Sequence, residues 1–225
     1  MMPLEAHGLH RFYRRGGNEV AALLDVTLTC AEGETVAVTG ASGSGKSTLL
    51  ALLAGLDDPD GGVVHVAGQR LSHQSPAVSA RLRARHIGVL TQSSALLGHL
   101  SLLENVRFAA SLRAGSGPAP EELLDALGLS TVQHATTRTL SGGETARAGL
   151  AVALAGAPAV LLADEPTAEV SSTEEDTILD LLRHWRPATG ATVIVTHSAS
   201  VAAYADRVVH LTDGRIDRPT EEYAA

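Results

Sequence analysis

Apolar residues fall along this chain in two kinds of run. Thr35 to Thr39, Ile87 to Leu90, Ala159 to Ala163, Thr192 to Thr196 and Val208 to Leu211 are short, nearly unbroken and rich in β-branched residues. Such runs read as strands buried on both faces of a sheet. Leu49 to Ala54, Glu121 to Leu127 and Thr145 to Ala155 are rich in leucine and alanine and read as helices; Gly55 and Gly128 stop the first two. Strands alternating with helices predict an α/β domain built on a mainly parallel sheet. At the start of the chain, residues 4–13 and 23–30 predict two strands joined by the polar loop Arg14 to Glu19. The turn cluster Asp57 to Gly62 leads into a further strand, Val63 to Val66. Pro76 to Arg85, with three arginines, predicts a surface helix.

Residues 93–139 break the alternation. Ser101 is placed to cap a helix through Leu102 and Val106, and Ala114 to Pro120 is a glycine- and proline-rich link. This segment reads as a helical insert with a partner-facing surface. The expected organisation is one domain, 1–225, with a core of 1–92 and 156–225 and a helical part over 93–155. Ser171 to Glu175 predicts the start of a helix running to about Arg186, with capping chemistry written twice. The tail beyond Arg218 is expected to fray.

Composition narrows the function. A net charge of −8 without a basic stripe argues against nucleic acid as the main partner. Cys30 is the single cysteine, so no disulfide framework exists and a cytosolic setting is expected. The first residues carry no charged segment followed by an apolar one, so no signal peptide is expected. The longest apolar run, Leu150 to Ala163, contains Gly156 and Pro158 and is too short to span a bilayer. Any membrane role would need a separate membrane chain.

The strongest chemical signal is Gly40-Ala41-Ser42-Gly43-Ser44-Gly45-Lys46-Ser47-Thr48, a G-x-x-x-x-G-K-[ST] loop between a predicted strand and a predicted helix. Glycines let backbone N–H groups turn inward, and the helix start adds its positive dipole end. Lys46 would reach the β- and γ-phosphates, and the Ser47 hydroxyl would ligate Mg²⁺. Lys46 is the only lysine among the 17 lysines and arginines. A slim ammonium fits a nest of N–H groups where a guanidinium fork does not.

Other positions are weaker alone. Tyr13 is equally a base-stacking aromatic or a strand-end core residue. Gln92 ends a strand where ligand groups gather in parallel sheets, or is a solvated loop residue. Leu140-Ser141-Gly142-Gly143-Glu144 is either a second anion site or an ordinary capping box. Asp164 and Glu165 follow a buried strand, where adjacent carboxylates are costly without a cation nearby. Asp164 could hold Mg²⁺ and Glu165 could polarise an attacking water. His197 ends another strand and could report a γ-phosphate, or could cap a helix.

Taken in order, Gly40 to Thr48, Gln92, Leu140 to Glu144, Val160 to Glu165 and His197 resemble the ATP-binding subunit of ABC transporters. The resemblance spans nearly the whole chain. Gly55-Leu56-Asp57 and Leu103-Glu104-Asn105-Val106 are similar to the lipoprotein-releasing, macrolide-exporting and cell-division subgroup. It implies a P-loop (RecA-like) core, an N-terminal antiparallel β part and an inserted helical part. It implies that Tyr13 stacks on adenine and that Gln92 touches Mg²⁺ and the membrane partner. It also implies that Ser141 to Glu144 meet the ATP of a second, identical subunit. The implied partner is a membrane-spanning permease, with this chain on the cytoplasmic face of the membrane. An alternative within the resemblance is a transmembrane signalling complex controlling cell-wall hydrolysis without transport. A soluble ABC-type ATPase of DNA repair or translation fits the acidic charge poorly. Two departures stand out: Ser171 and Ser198 occupy positions where the family has aspartate. With Glu165 and His197 intact, hydrolysis is expected to survive with weakened communication between sites.

Overall fold

A computed structural model describes residues 2–15, 18–91, 96–112, 117–168, 170–187 and 189–217. The amino-terminal strands β1 (Leu4–Arg15) and β2 (Asn18–Cys30) pair antiparallel. They run further than expected: Arg14 pairs with Glu19 inside the ladder. Cross-strand pairing continues to Arg15 and Asn18, so the polar composition at Arg14 and Glu19 marks the exposed end of the paired strands and not a loop. The strand β3 (Thr35–Thr39) leads through the glycine loop into helix α1 (Lys46–Leu53). Strands β4 (Gly61–Val66) and β5 (Gln69–Arg70) then return to the first sheet, giving the order β2-β1-β4-β5.

Helix α2 (Pro76–His86) buries no residue, in line with its arginine-rich sequence. Next come β6 (Ile87–Leu90) and the helices α3 (Leu102–Ser111), α4 (Pro120–Ala126) and α5 (Gly142–Leu154). The chain closes with β7 (Val160–Asp164), α6 (Ser172–Trp185), β8 (Ala191–Val195), α7 (Ala199–Tyr204), β9 (Arg207–Thr212) and β10 (Arg215–Ile216). The second sheet has the order β10-β9-β3-β8-β7-β6. Every pairing from β9 to β6 is parallel, and β10 is an antiparallel edge. The expected α/β class, with a mainly parallel sheet beside an antiparallel one, is the class observed.

The strands β3, β6, β7 and β8 are largely buried on both faces because both faces are covered, whereas β9 leaves Val208, His210 and Thr212 exposed. Val160 and Leu162 of β7, with Val193 and Val195 of β8, join a core shared with α1 and the antiparallel sheet. The intervening residues, Leu161, Ala163 and Ile194, join a second core with α3, α4, α5 and α6. The two-residue period of each strand thus divides its side chains between two cores. The helical segment shares the second core with the sheet, which ties it to the rest of the chain.

One buried amide organises the entrance to the insert. Asn105, only 3% exposed, accepts from Leu97 N at 2.7 Å. Its Nδ2 donates to the carbonyls of Leu97 and Ser101 at 3.2 and 2.9 Å. Ser101 and Glu104 form the capping box that starts α3, as expected. Of the doubled capping predicted for α6, the part at Ser171 is not made, and the Ser172 side chain lies outside the described ones. Ser171 is the N-cap, but its hydroxyl turns to Thr173 and Glu174 instead of a backbone N–H. Asn105→Ala is expected to leave the 97–101 turn with unmatched buried groups and to lower unfolding free energy by about 2 kcal/mol. Urea denaturation followed by circular dichroism would measure it.

Candidate active site

The chemistry gathers in one cleft of about 420 Å³ between the antiparallel sheet and the carboxyl ends of β3, β7 and β8. One wall is the glycine loop. Gly45 is the N-cap of α1 at φ 108°, and a Cβ there would lie 2.4 Å from the Ala22 carbonyl oxygen. At Gly40, φ 149°, a Cβ would lie 2.2 Å from the Leu211 carbonyl. Only glycine lets the loop press between β2 and β9 at these two points. The α1 N-terminus therefore opens on the cleft with its first N–H groups unpaired within the helix. Lys46 Nζ folds over the loop, donating to the carbonyls of Gly40 and Ala41 at 2.7 and 2.9 Å. Ser47 and Thr48 line the same wall, and Tyr13 stands at its rim, 40% exposed.

The opposite wall carries the acidic pair at the end of β7. Burial, and secondarily the Glu165 charge, push the Asp164 carboxyl above its ordinary value, with Lys46 acting in the opposite direction. Glu165 is treated quite differently. Its backbone sits at φ 47°, an uncommon conformation for a side chain of this size. Thr196 Oγ1 donates to Oε2 at 3.0 Å, and the His197 N–H donates to Oε1 at 3.0 Å. His197 Nδ1 is 2.6 Å from the same oxygen. A carboxylate accepts, so this contact places the ring proton on Nδ1 and leaves Nε2 facing outward on a ring that is 75% exposed. The carboxylate itself is 15% exposed and has one orientation.

Elsewhere the expected residues fall less centrally. Ser141 and Glu144 complete a capping box: Ser141 Oγ accepts from Glu144 N at 3.2 Å, and Glu144 Oε2 accepts from Ser141 N at 2.8 Å. Hydrogen bonding from Ser141, its backbone N–H first, holds the Glu144 carboxyl below its ordinary value. Helix α5 therefore begins at Gly142, three residues before the predicted start, and Gly142 and Gly143 form its first turn. Leu140 precedes the N-cap, half-buried against the second core. None of these five lines the cleft of their own chain. Gln92 lies outside the described residues. Ser198 accepts from Val201 N and caps α7. A second cavity, about 450 Å³, lies around Trp185 at the amino ends of β6, β7 and β8, without a carboxylate pair or a phosphate loop.

Comparison with known proteins agrees with this geometry. Residues 23–168 match the family model described as ABC transporter. The chain belongs to that family. The cassette is 43% identical over 218 residues to an uncharacterized ABC transporter ATP-binding protein, YbbA, of Escherichia coli, covering 95% of this chain and 96% of YbbA. It is 39% identical to the macrolide export ATP-binding/permease protein MacB 2 of Aeromonas hydrophila, of which it spans 34%. Its fold superimposes on the ATP-binding cassette MJ0796, solved as a dimer bound to ADP and Pi. That match has a TM-score of 0.87 and 30% identity, and covers 96% of this chain and 97% of that one. The chain is thus an ABC-type ATPase subunit, the activity that its loop and acidic pair implied.

Four contributors are not legible in the sequence. Thr196, the last residue before His197, locks Glu165; a threonine at the end of a strand facing an acid was the available signal. Asp57 and Arg11 engage Tyr13. Glu174 lies directly against Gly143, where an added Cβ would stand 1.8 Å from its Oε1. Because the Asp164 carboxyl has a raised value in the fold, its ionised form destabilises the free protein at neutral pH. That penalty fades as pH falls through the folded value towards the ordinary one. Asp164→Asn is therefore expected to raise the melting temperature of the nucleotide-free cassette at pH 7 and to lose this advantage in acid. Calorimetry across pH would check both.

Proposed function

We propose that this cassette is the motor subunit of a membrane transport complex, with Glu165 activating the water that attacks the terminal phosphate of ATP. The observation that carries this reading is the fixed Glu165 carboxylate across the cleft from the loop of Lys46. Lys46 would exchange its present carbonyl partners for phosphate oxygens, and the N–H groups at the start of α1 would donate to the same oxygens. Glu165, held by Thr196 and His197, would accept the proton of the attacking water without having to reorient. His197 Nε2 would face the terminal phosphate.

The donor set fits magnesium. Among the described residues no three His, Cys, Asp or Glu side chains converge into a metal cage. A hydroxyl from Ser47 and a carboxylate from Asp164 are the sparse oxygen donors that suit Mg²⁺ held jointly with phosphates. Bound there, the ion would neutralise charge on the phosphate oxygens. Gln92 is proposed as a third contact. The elevated Asp164 carboxyl supports this, because a cation beside it would favour its ionised form.

The MacB relative joins ATP-binding and permease parts in one protein, which supports a permease as partner here. MJ0796 is dimeric, which supports a second copy of this cassette presenting Ser141 to Glu144 to the nucleotide. The family subdivision into a core of 1–92 and 156–225 and a helical part of 93–155 is carried over as part of this reading. Phe108 and Leu112, one turn apart on the insert, are exposed and suit a docking face. No helix among the described residues is long and apolar enough to cross a membrane. The cytoplasmic face of the permease is the proposed place of work. Nothing in the comparisons favours the signalling alternative.

Glu165→Gln keeps the shape and hydrogen-bond reach of the side chain but removes its basicity. It is expected to bind ATP normally and to hydrolyse it at least about 100-fold more slowly. Turnover near the wild-type rate would exclude Glu165 as the base.

A further inference from the structure

Tyr13 is held from two sides. Its hydroxyl donates to Asp57 Oδ2 at 3.1 Å. The guanidinium of Arg11 covers one face of the ring, 4.9 Å from its centroid. Arg11 is itself clamped. Its Nε and Nη2 donate to the two oxygens of Asp57 at 3.0 and 2.9 Å, and its Nη1 donates to Asp60 at 3.2 Å. The arginine and aspartate side chains are 21% and 32% exposed, so the planar fork is partly shielded from water. Asp60 also accepts from the Phe12 N–H at 2.7 Å, which pins the strand at this point.

Tyr13 lines the cleft and Arg11 does not. The cation therefore covers one face of a ring that lines the same cleft as Lys46 and Ser47. Asp57 follows α1, the helix that begins with Lys46. One carboxylate thus registers the aromatic ring against the element that carries the phosphate-binding lysine.

We propose that Arg11 and Asp57 are positioning residues for the nucleotide base, completing a layered stack of guanidinium, Tyr13 ring and purine. The proposal rests on the nucleotide reading of the cleft given above. A tyrosine free to rotate would have to be ordered as the base arrived. Here the hydroxyl bond fixes the ring's edge and the guanidinium occupies the face that the base does not use, so the platform exists before binding. The base site is also held at a set distance from the phosphate loop, because both are anchored to α1.

The test is calorimetric titration of the full chain, without magnesium so that nothing is hydrolysed, using ATP and inorganic tripolyphosphate as separate probes. Arg11→Ala is expected to weaken ATP binding about 3- to 10-fold. Tripolyphosphate, which lacks a base, should bind the variant and the wild type equally. On a Tyr13→Ala background, Arg11→Ala should cause no further loss of ATP affinity, an outcome that a merely structural role for Arg11 would not give. Should Arg11→Ala fail to fold, Asp57→Asn replaces it and should show the same pattern. Equal losses for both probes, an unchanged ATP affinity, or additive losses with Tyr13→Ala would overturn the proposal. A wild-type chain that binds tripolyphosphate but not ATP would overturn the nucleotide reading itself.

Discussion

The site depends on two places where the chain has no side chain. At Gly40 and Gly45 the loop after β3 is pressed against the carbonyls of Leu211 and Ala22, closer than any Cβ would allow. That contact joins the two sheets at the loop. It also fixes the direction of α1, so the positive end of the helix and the root of Lys46 face a single point. Lys46 now satisfies itself on the carbonyls of Gly40 and Ala41. A triphosphate entering the cleft offers the ammonium stronger, charged acceptors in place of those neutral ones.

The facing wall solves the problem of two adjacent acids in two ways. Glu165 is satisfied entirely by protein donors, at the expense of a strained backbone, and so has a fixed aim. Asp164 is left incompletely compensated, and burial penalises its charge. A group in that condition gains most from a cation. The two residues are neighbours in sequence, yet one is built to be ready in the free protein and the other to be completed by what binds.

Much of this was legible in the sequence because the informative residues are local. The strand, glycine loop and helix around Lys46 form a continuous segment, and the strand runs that deliver Asp164 and His197 are apolar from end to end. What escaped was assembled by pairing between distant segments. The link between Arg11 and Asp57 spans 46 residues, and the bond from Thr196 to Glu165 spans 31. Neither has a periodicity to betray it. The start of α5 was misjudged because glycines discourage a helix by propensity. The Ser141–Glu144 capping box outweighs them here. Capping was also over-read at Ser171, whose hydroxyl prefers its side-chain neighbours. Ser171 and Ser198 are engaged locally, one with the first turn of α6 and one as the cap of α7.

The loop grips a nucleotide because it has no side chains at its two points of closest contact. Titration of ATP with magnesium into the wild type and into Gly45→Ala, each verified as folded by circular dichroism, tests it most directly. One ATP per wild-type chain and none detectable on the variant is the predicted result. A folded Gly45→Ala chain that binds ATP as tightly as the wild type would contradict it.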